Sequence, residues 1–252
     1  CTGGKSYPST GSDGEGYVFA ERAGHTVIKP VPSLCGVNLS GGYFRAMQGL
    51  SLKNVGLKVY SGGKLLKDLF GEMQFTHFGA SGPLILTASA LINRLSPDGV
   101  KLVLDFKPAL SREQLEARIL RYFEADKNKD ISNCLKSLLP SSAVEPMLER
   151  CGILPDKKVN SITRAERASL LTNIKNFDML YLSLRGFEEA VVTSGGVSLK
   201  EVNPKTMESK IVKGLYFCGE VLDCDAFTGG FNLQIAFSTG YVAGRAAAQA
   251  DN

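Results

Sequence analysis

Gly214-Leu-Tyr-Phe-Cys-Gly-Glu-Val-Leu-Asp-Cys-Asp-Ala-Phe-Thr-Gly-Gly-Phe-Asn-Leu-Gln-Ile-Ala-Phe-Ser-Thr-Gly240 is the stretch on which the reading of this chain turns. Leu215 to Cys218 is apolar throughout, as a strand covered on both faces must be. Gly219 allows a sharp backbone turn, and Glu220 follows at the strand's C-terminal edge, where ligands of open α/β sheets sit. Gly229-Gly230 then delivers the chain into a helix from Phe231, whose first N–H groups can face an electron-rich group.

Three further blocks lie upstream in order: Cys1-Thr-Gly-Gly-Lys-Ser-Tyr-Pro8, Phe75-Thr-His-Phe-Gly-Ala-Ser-Gly-Pro83, and Glu189-Ala-Val-Val-Thr-Ser-Gly-Gly-Val197 with Asn203-Pro-Lys-Thr-Met-Glu-Ser209. Taken with the C-terminal stretch, they resemble a bacterial NAD(P)/FAD-dependent flavoprotein family. It is aminoacetone-oxidase-like with bile-acid-reductase-like members, on the glutathione-reductase-like FAD fold. The resemblance runs the length of the chain. One departure is large: the family opens with a strand, a Gly-x-Gly-x-x-Gly turn and a helix, and this sequence contains no such turn.

The resemblance implies FAD as cofactor, with NAD(P) as an electron donor the family also admits. It places Thr2, Gly3 and Gly4 close to the cofactor and the pair Gly195-Gly196 against the flavin ring. For such a flavin, Glu220, at the strand end after the turn at Gly219, is placed to accept from the ribityl hydroxyls. Gly229 and Gly230 lead to backbone donors at Asn232, Leu233 and Gln234 for the pyrimidine edge. By physics alone, Gly195-Gly196 is a strand bulge or tight turn between β-branched runs. His77 has two readings, a donor near the substrate face of the flavin or a residue holding its own turn together. No catalytic acid or base stands out, and no metal site is expected.

The rest of the chain reads more plainly. Ser12-Asp-Gly-Glu15 has capping-box spacing and opens a helix that Gly24 closes. His25 to Ile28 reads as a strand, with His25 at the surface. From about Pro30 the character changes. Leu52–Tyr60 and Leu65–Thr76 form a hairpin about Ser61-Gly-Gly-Lys64, and Pro83 suits the first position of the helix that follows. Val100–Phe106 is a strand. Ser111 and Thr163 open capped helices, with two further helices at about 131–139 and 142–151, and Met179–Leu184 is the strand leading back. Asp223, Asp225 and Thr228 read as loop residues as readily as a carboxylate site. Gly240 and Gly244 read as close-packing positions on the last helix.

The expected fold is therefore α/β plus α+β. A partial Rossmann-like FAD-binding domain from residues 1–30 and 189–252 is interrupted by an inserted domain, 31–188, with all-β and α+β parts. The chain begins at Cys rather than Met and reads as an excised piece of a longer protein. Its 252 residues, net charge of +4 and dispersed cations argue against a nucleic-acid partner. Six separated cysteines suit a reducing cytoplasm, and no apolar run is long enough to span a bilayer. The function expected is a FAD-dependent oxidoreductase fragment acting on a small organic substrate, with room for a homodimer. The alternative is a non-catalytic fragment, a stable insert or binding module unable to retain FAD.

Overall fold

The computed structural model describes residues 2–250, and of Ala250 the backbone alone. Cys1, which opens the first quoted block, lies outside them. In chain order the elements are α1 (Glu15–Arg22), β1 (Val27–Ser33), β2 (Val37–Leu39), α2 (Tyr43–Ala46), β3 (Ser51–Ser61), β4 (Lys64–Phe75), β5 (Gly79–Ser81) and α3 (Pro83–Ile92). They continue with β6 (Val100–Asp105), α4 (Arg112–Ala125), α5 (Ile131–Leu135), α6 (Ser141–Cys151), α7 (Arg164–Lys175), β7 (Phe177–Asp178), β8 (Tyr181–Leu184), β9 (Val192–Val197) and α8 (Phe231–Ala250). None of the described helices is long and apolar enough to cross a membrane.

The chain divides into two compact units. The first takes the residues up to Gly36, Leu86–Arg94 and those from Leu184 onward; the second takes Val37–Ile85 and Leu95–Ser183. Against the expected boundaries at 30/31 and 188/189, β1 falls wholly in the first unit, and so do residues 86–94. Pairing explains the former: β1 runs antiparallel to β9, with Val27 opposite Val197 and Ser33 opposite Val192.

In the first unit, Lys29 and Pro30 together oppose Gly195, so β1 carries a bulge there. Pro30 has no N–H to give a ladder, which suits it to that place. Around this pair Tyr17, Ala20, Val197, Val202, Phe217, Val221 and Leu222 form a buried cluster. The expected strand Leu215–Cys218 does not form: among the described residues its ladder is a single antiparallel bridge from Tyr216 to Glu208. Apolarity there reports burial, but a strand also needs a neighbour along its length. His25 is buried, not at the surface, and β1 starts two residues after it. Helix α1 has Gly14 as its N-cap with no side-chain cap bond, so Ser12 does not cap it; Asp13 Oδ1 accepts the Glu15 N–H at 3.0 Å in a turn just before it. Among the described residues, Gly240 and Gly244 meet no neighbouring atom where a Cβ would stand, so they are not close-packing positions within this chain.

The second unit is built on a seven-stranded sheet in the order β7-β6-β3-β4-β5-β2-β8. Leu57, Val59, Leu102 and Leu104 are fully buried on its covered face. The hairpin β3–β4 turns at Gly62-Gly63 as expected. Both capping boxes form: Ser111 with Gln114 starts α4, and Thr163 with Glu166 starts α7. The helix expected near 131–139 is shorter, and the strand expected at 179–184 begins only at Tyr181, after Leu180 at φ +50°.

Candidate functional site

Within the first unit a cavity of about 390 Å³ opens between the turn at Gly219-Glu220 and the entry to α8. Leu34, Leu86, Val191, Phe227 and Ile235 supply apolar wall, and Glu220 is the charged group beside them. The volume lies at the small end of ligand pockets, roughly 300–1,000 Å³, room for a fused ring and part of its chain.

Glu220 is held from below. Its Oε1 accepts the Thr193 N–H at 2.7 Å. The Thr193 hydroxyl oxygen in turn accepts the N–H groups of Lys5 at 2.8 Å and Ser6 at 3.0 Å, and pairs with the Ser6 hydroxyl. Gly4 passes so close that a Cβ would run into the Glu220 carboxylate and stand 2.5 Å from Thr193 Oγ1. Thus Gly4 makes room for Glu220. Tyr17 lies beside them, its hydroxyl donating to the Glu220 carbonyl at 3.4 Å. Burial, and then the Glu220 charge, push that phenol up to about 12.

At the other rim Gly229 and Gly230 adopt φ of +119° and +85°, the left-handed region that glycine enters freely. The Gln234 N–H donates to the Gly230 carbonyl at 3.0 Å, closing the first turn of α8. Among the described residues, the N–H groups of Phe231, Asn232 and Leu233 are therefore the donors of the first turn left without a backbone acceptor. Gln234 is not one of them, and Phe231 takes its place.

Of the residues expected to hold a cofactor, Gly219, Glu220, Gly229, Gly230, Asn232 and Leu233 line the cavity. Thr2, Gly3, Gly4, Gly195, Gly196 and Gln234 do not. The glycine pair answers to the chain's own backbone: a Cβ on Gly195 would stand 2.6 Å from the Lys29 carbonyl oxygen, and one on Gly196 would strike the Val221 carbonyl. His77 lies in the second unit, exposed, with its ring edge-on to Phe78 at 5.1 Å. Leu34, Leu86 and Phe227 were not singled out from the sequence; isolated apolar residues carry no signal until the fold assembles them.

These groups fit the ring end of a flavin: an apolar slot, a carboxylate fixed at one rim and helix N–H donors at the other. The class of protein follows from the match of the whole chain, for the HI0933-like protein Rossmann domain covers residues 1–246. The chain belongs to that family, whose character is that of FAD-dependent oxidoreductases. Among its relatives, it is similar to the 3-dehydro-bile acid delta(4,6)-reductase of Clostridium scindens, 32% identical over 249 residues that cover 98% of this chain and 61% of that protein. It is also similar to the ribosomal RNA dihydrouridine synthases of Haemophilus influenzae (34% identical, 96% of this chain, 57% of that protein) and Escherichia coli (29%, 96% and 58%). The chain spans about three-fifths of the length of these curated relatives.

Proposed function

We propose that this chain contributes the flavin-ring end of a FAD-dependent oxidoreductase. The observation that carries the reading is the juxtaposition, on one apolar cavity, of the anchored Glu220 carboxylate and the open N-terminus of α8. Glu220 accepts hydrogen bonds from the hydroxylated chain attached to the ring. The N–H groups of Phe231, Asn232 and Leu233 face the ring edge that gains negative charge on reduction. Bound flavin supplies the hydride chemistry itself; the protein orients it, keeps water off its apolar faces and tunes it. The helix end contributes about 0.3–1 kcal/mol, and up to ~2 kcal/mol when partly buried. For a two-electron couple ~2 kcal/mol is about 40 mV, so α8 adjusts a potential without creating the reactivity.

A bile-acid reductase and a maker of dihydrouridine both leave their product richer in hydrogen, and the reductive direction is proposed here too, with NAD(P) as electron donor. As substrate we propose a small organic molecule, in line with the mild net charge. Riboflavin fluorescence tests the site, because that probe has the ring and ribityl chain without the adenylate half. Glu220→Gln keeps an acceptor for the Thr193 N–H but removes the charge; it should weaken binding about tenfold, since a hydrogen bond to a charged group is worth about 1.5–3 kcal/mol. Asp225→Ala, which loses only a 3.3 Å contact from the Ser33 hydroxyl, should leave affinity within about twofold. Equal losses in the two variants would remove Glu220 from this role.

A further inference from the structure

Two polar side chains of α8 are turned back onto the segment that frames the cavity. Asn232 turns both ends of its amide on one residue: Oδ1 accepts the Ala226 N–H at 2.9 Å, and Nδ2 donates to the Ala226 carbonyl at 2.7 Å. Thr239 Oγ1 accepts the Gly219 N–H at 2.9 Å while its own proton goes to the Ile235 carbonyl at 2.7 Å. Positions 232 and 239 are seven apart, two turns of helix, and so project from the same face. One face of α8 thus grips its own approach segment at both ends, at Gly219 and at Ala226.

We infer that Asn232 and Thr239 are positioning residues for the ligand of this cavity, an inference that rests on the flavin reading. Gly219 adopts φ +75° and is followed directly by Glu220, so the N–H it gives to Thr239 fixes where the carboxylate starts. The same carboxylate is tied at its far end to the Thr193 N–H. Ala226 precedes Phe227 to Gly230, the other rim. Each side chain has the donor and acceptor inventory its place requires. An aspartate at 232 could accept from Ala226 but not donate, and a valine at 239 could not accept the Gly219 N–H. The two rims are therefore set by α8 before any ligand arrives, and affinity depends on that preorganisation.

The test uses the full chain with riboflavin as probe, comparing wild type with Thr239→Val, Thr239→Ser and Asn232→Ala, and following melting midpoints and site-resolved amide exchange in parallel. Thr239→Val should bind riboflavin about tenfold more weakly, because the rim at Gly219 is then ordered only on binding. Its melting midpoint should fall by only about 2–4 °C, as the loss of one hydrogen bond does in a chain of this size, and Thr239→Ser, which keeps the hydroxyl, should restore binding to within about threefold. A role in stability alone would lower the midpoint and leave the affinity of the folded fraction untouched, and that result overturns the inference. So does a Thr239→Val variant that binds as wild type does, while Glu220→Gln still weakens binding and the flavin reading stands. Should wild type bind no riboflavin, the flavin reading fails, and amide exchange decides the grip by itself. Faster exchange at Gly219 in Thr239→Val and at Ala226 in Asn232→Ala supports it, and unchanged exchange at both overturns it.

Discussion

At the scale of single residues, Gly196 and His25 show how far sequence reasoning reaches. The pair Gly195-Gly196 stands out by its β-branched surroundings, and both residues take positive φ, +97° and +134°. The need is steric, and its source is backbone packed from the strand's own neighbours, β1 and the turn at Val221. Gly196→Ala should therefore cost about 3 kcal/mol or more, whereas Gly62→Ala, at φ +54° with open space around it, should cost about 1 kcal/mol. Urea unfolding of the two variants checks the contrast; equal costs would mean that the Gly196 contacts relax freely. His25 was illegible because its partners lie some 180 residues away. Ser209 Oγ accepts the N–H groups of Ile211 at 3.0 Å and Val212 at 2.8 Å, so its proton is left for His25 Nε2 at 2.7 Å. Nδ1 then carries the hydrogen, 3.3 Å from Glu201 Oε2. The Thr26 hydroxyl, then the Thr26 N–H, and His25 hold the Glu201 carboxyl below its ordinary value of 4.5. A folded-state value below the unfolded one adds stability that is fully present above about 4.5 and is lost as pH falls through the folded value. Glu201→Gln should flatten that acid limb. Melting midpoints of variant and wild type should converge as pH drops from 6 to 3, and parallel curves would show that Glu201 is not linked.

Elements were legible where the signal is local. The boxes Ser111-x-x-Gln114 and Thr163-x-x-Glu166 sit within four residues, and both helices start where those residues say. The hairpin at Gly62-Gly63 and the start of α8 after Gly229-Gly230 are local in the same way. Leu215 to Cys218 failed as a strand because ladder formation depends on a neighbouring chain, which no property of four apolar residues can supply. Helix α1 shows the limit of a spacing rule: Ser12 and Glu15 have the right separation, yet Asp13 Oδ1 accepts the Glu15 N–H and Ser12 stands against Gly3. Thr163→Ala should destabilise the chain by about 1 kcal/mol. The same substitution at Asp13, which loses an exposed turn bond from the Glu15 N–H, should cost more than one at Ser12, by some tenths of a kcal/mol. Chemical denaturation ranks the three, and a Ser12 variant weaker than the Asp13 variant would restore the reading from spacing.

At the scale of the whole molecule, and on the proposed flavin reading, the described residues provide unequally for the two ends of a dinucleotide. For a ring with its hydroxylated chain the first unit offers the apolar slot, Glu220 fixed by Thr193, and the first turn of α8. For a pyrophosphate the usual provision is a Gly-x-Gly-x-x-Gly turn between a strand and a helix, whose N-terminus meets the negative charges. The 252 residues contain no such spacing. Gly11, Gly14 and Gly16 come nearest, but Gly14 and Gly16 pack against Tyr17 and Thr2 as part of the entry to α1. On the proposed reading, a cavity of about 390 Å³ has room for the ring end and not for the whole dinucleotide. If only that end is gripped, the adenylate half adds mass to the ligand without adding contacts. For this chain FAD should then bind no more tightly than riboflavin, the two dissociation constants agreeing within about threefold. Isothermal titration of both flavins against the same preparation measures this directly. The purified chain should also be colourless, since neither flavin would survive dilution. A FAD affinity a hundredfold above that of riboflavin corresponds to about 2.7 kcal/mol from the adenylate half. Such a result would require a phosphate site elsewhere in these residues and would overturn the assignment of the cavity to the ring end alone.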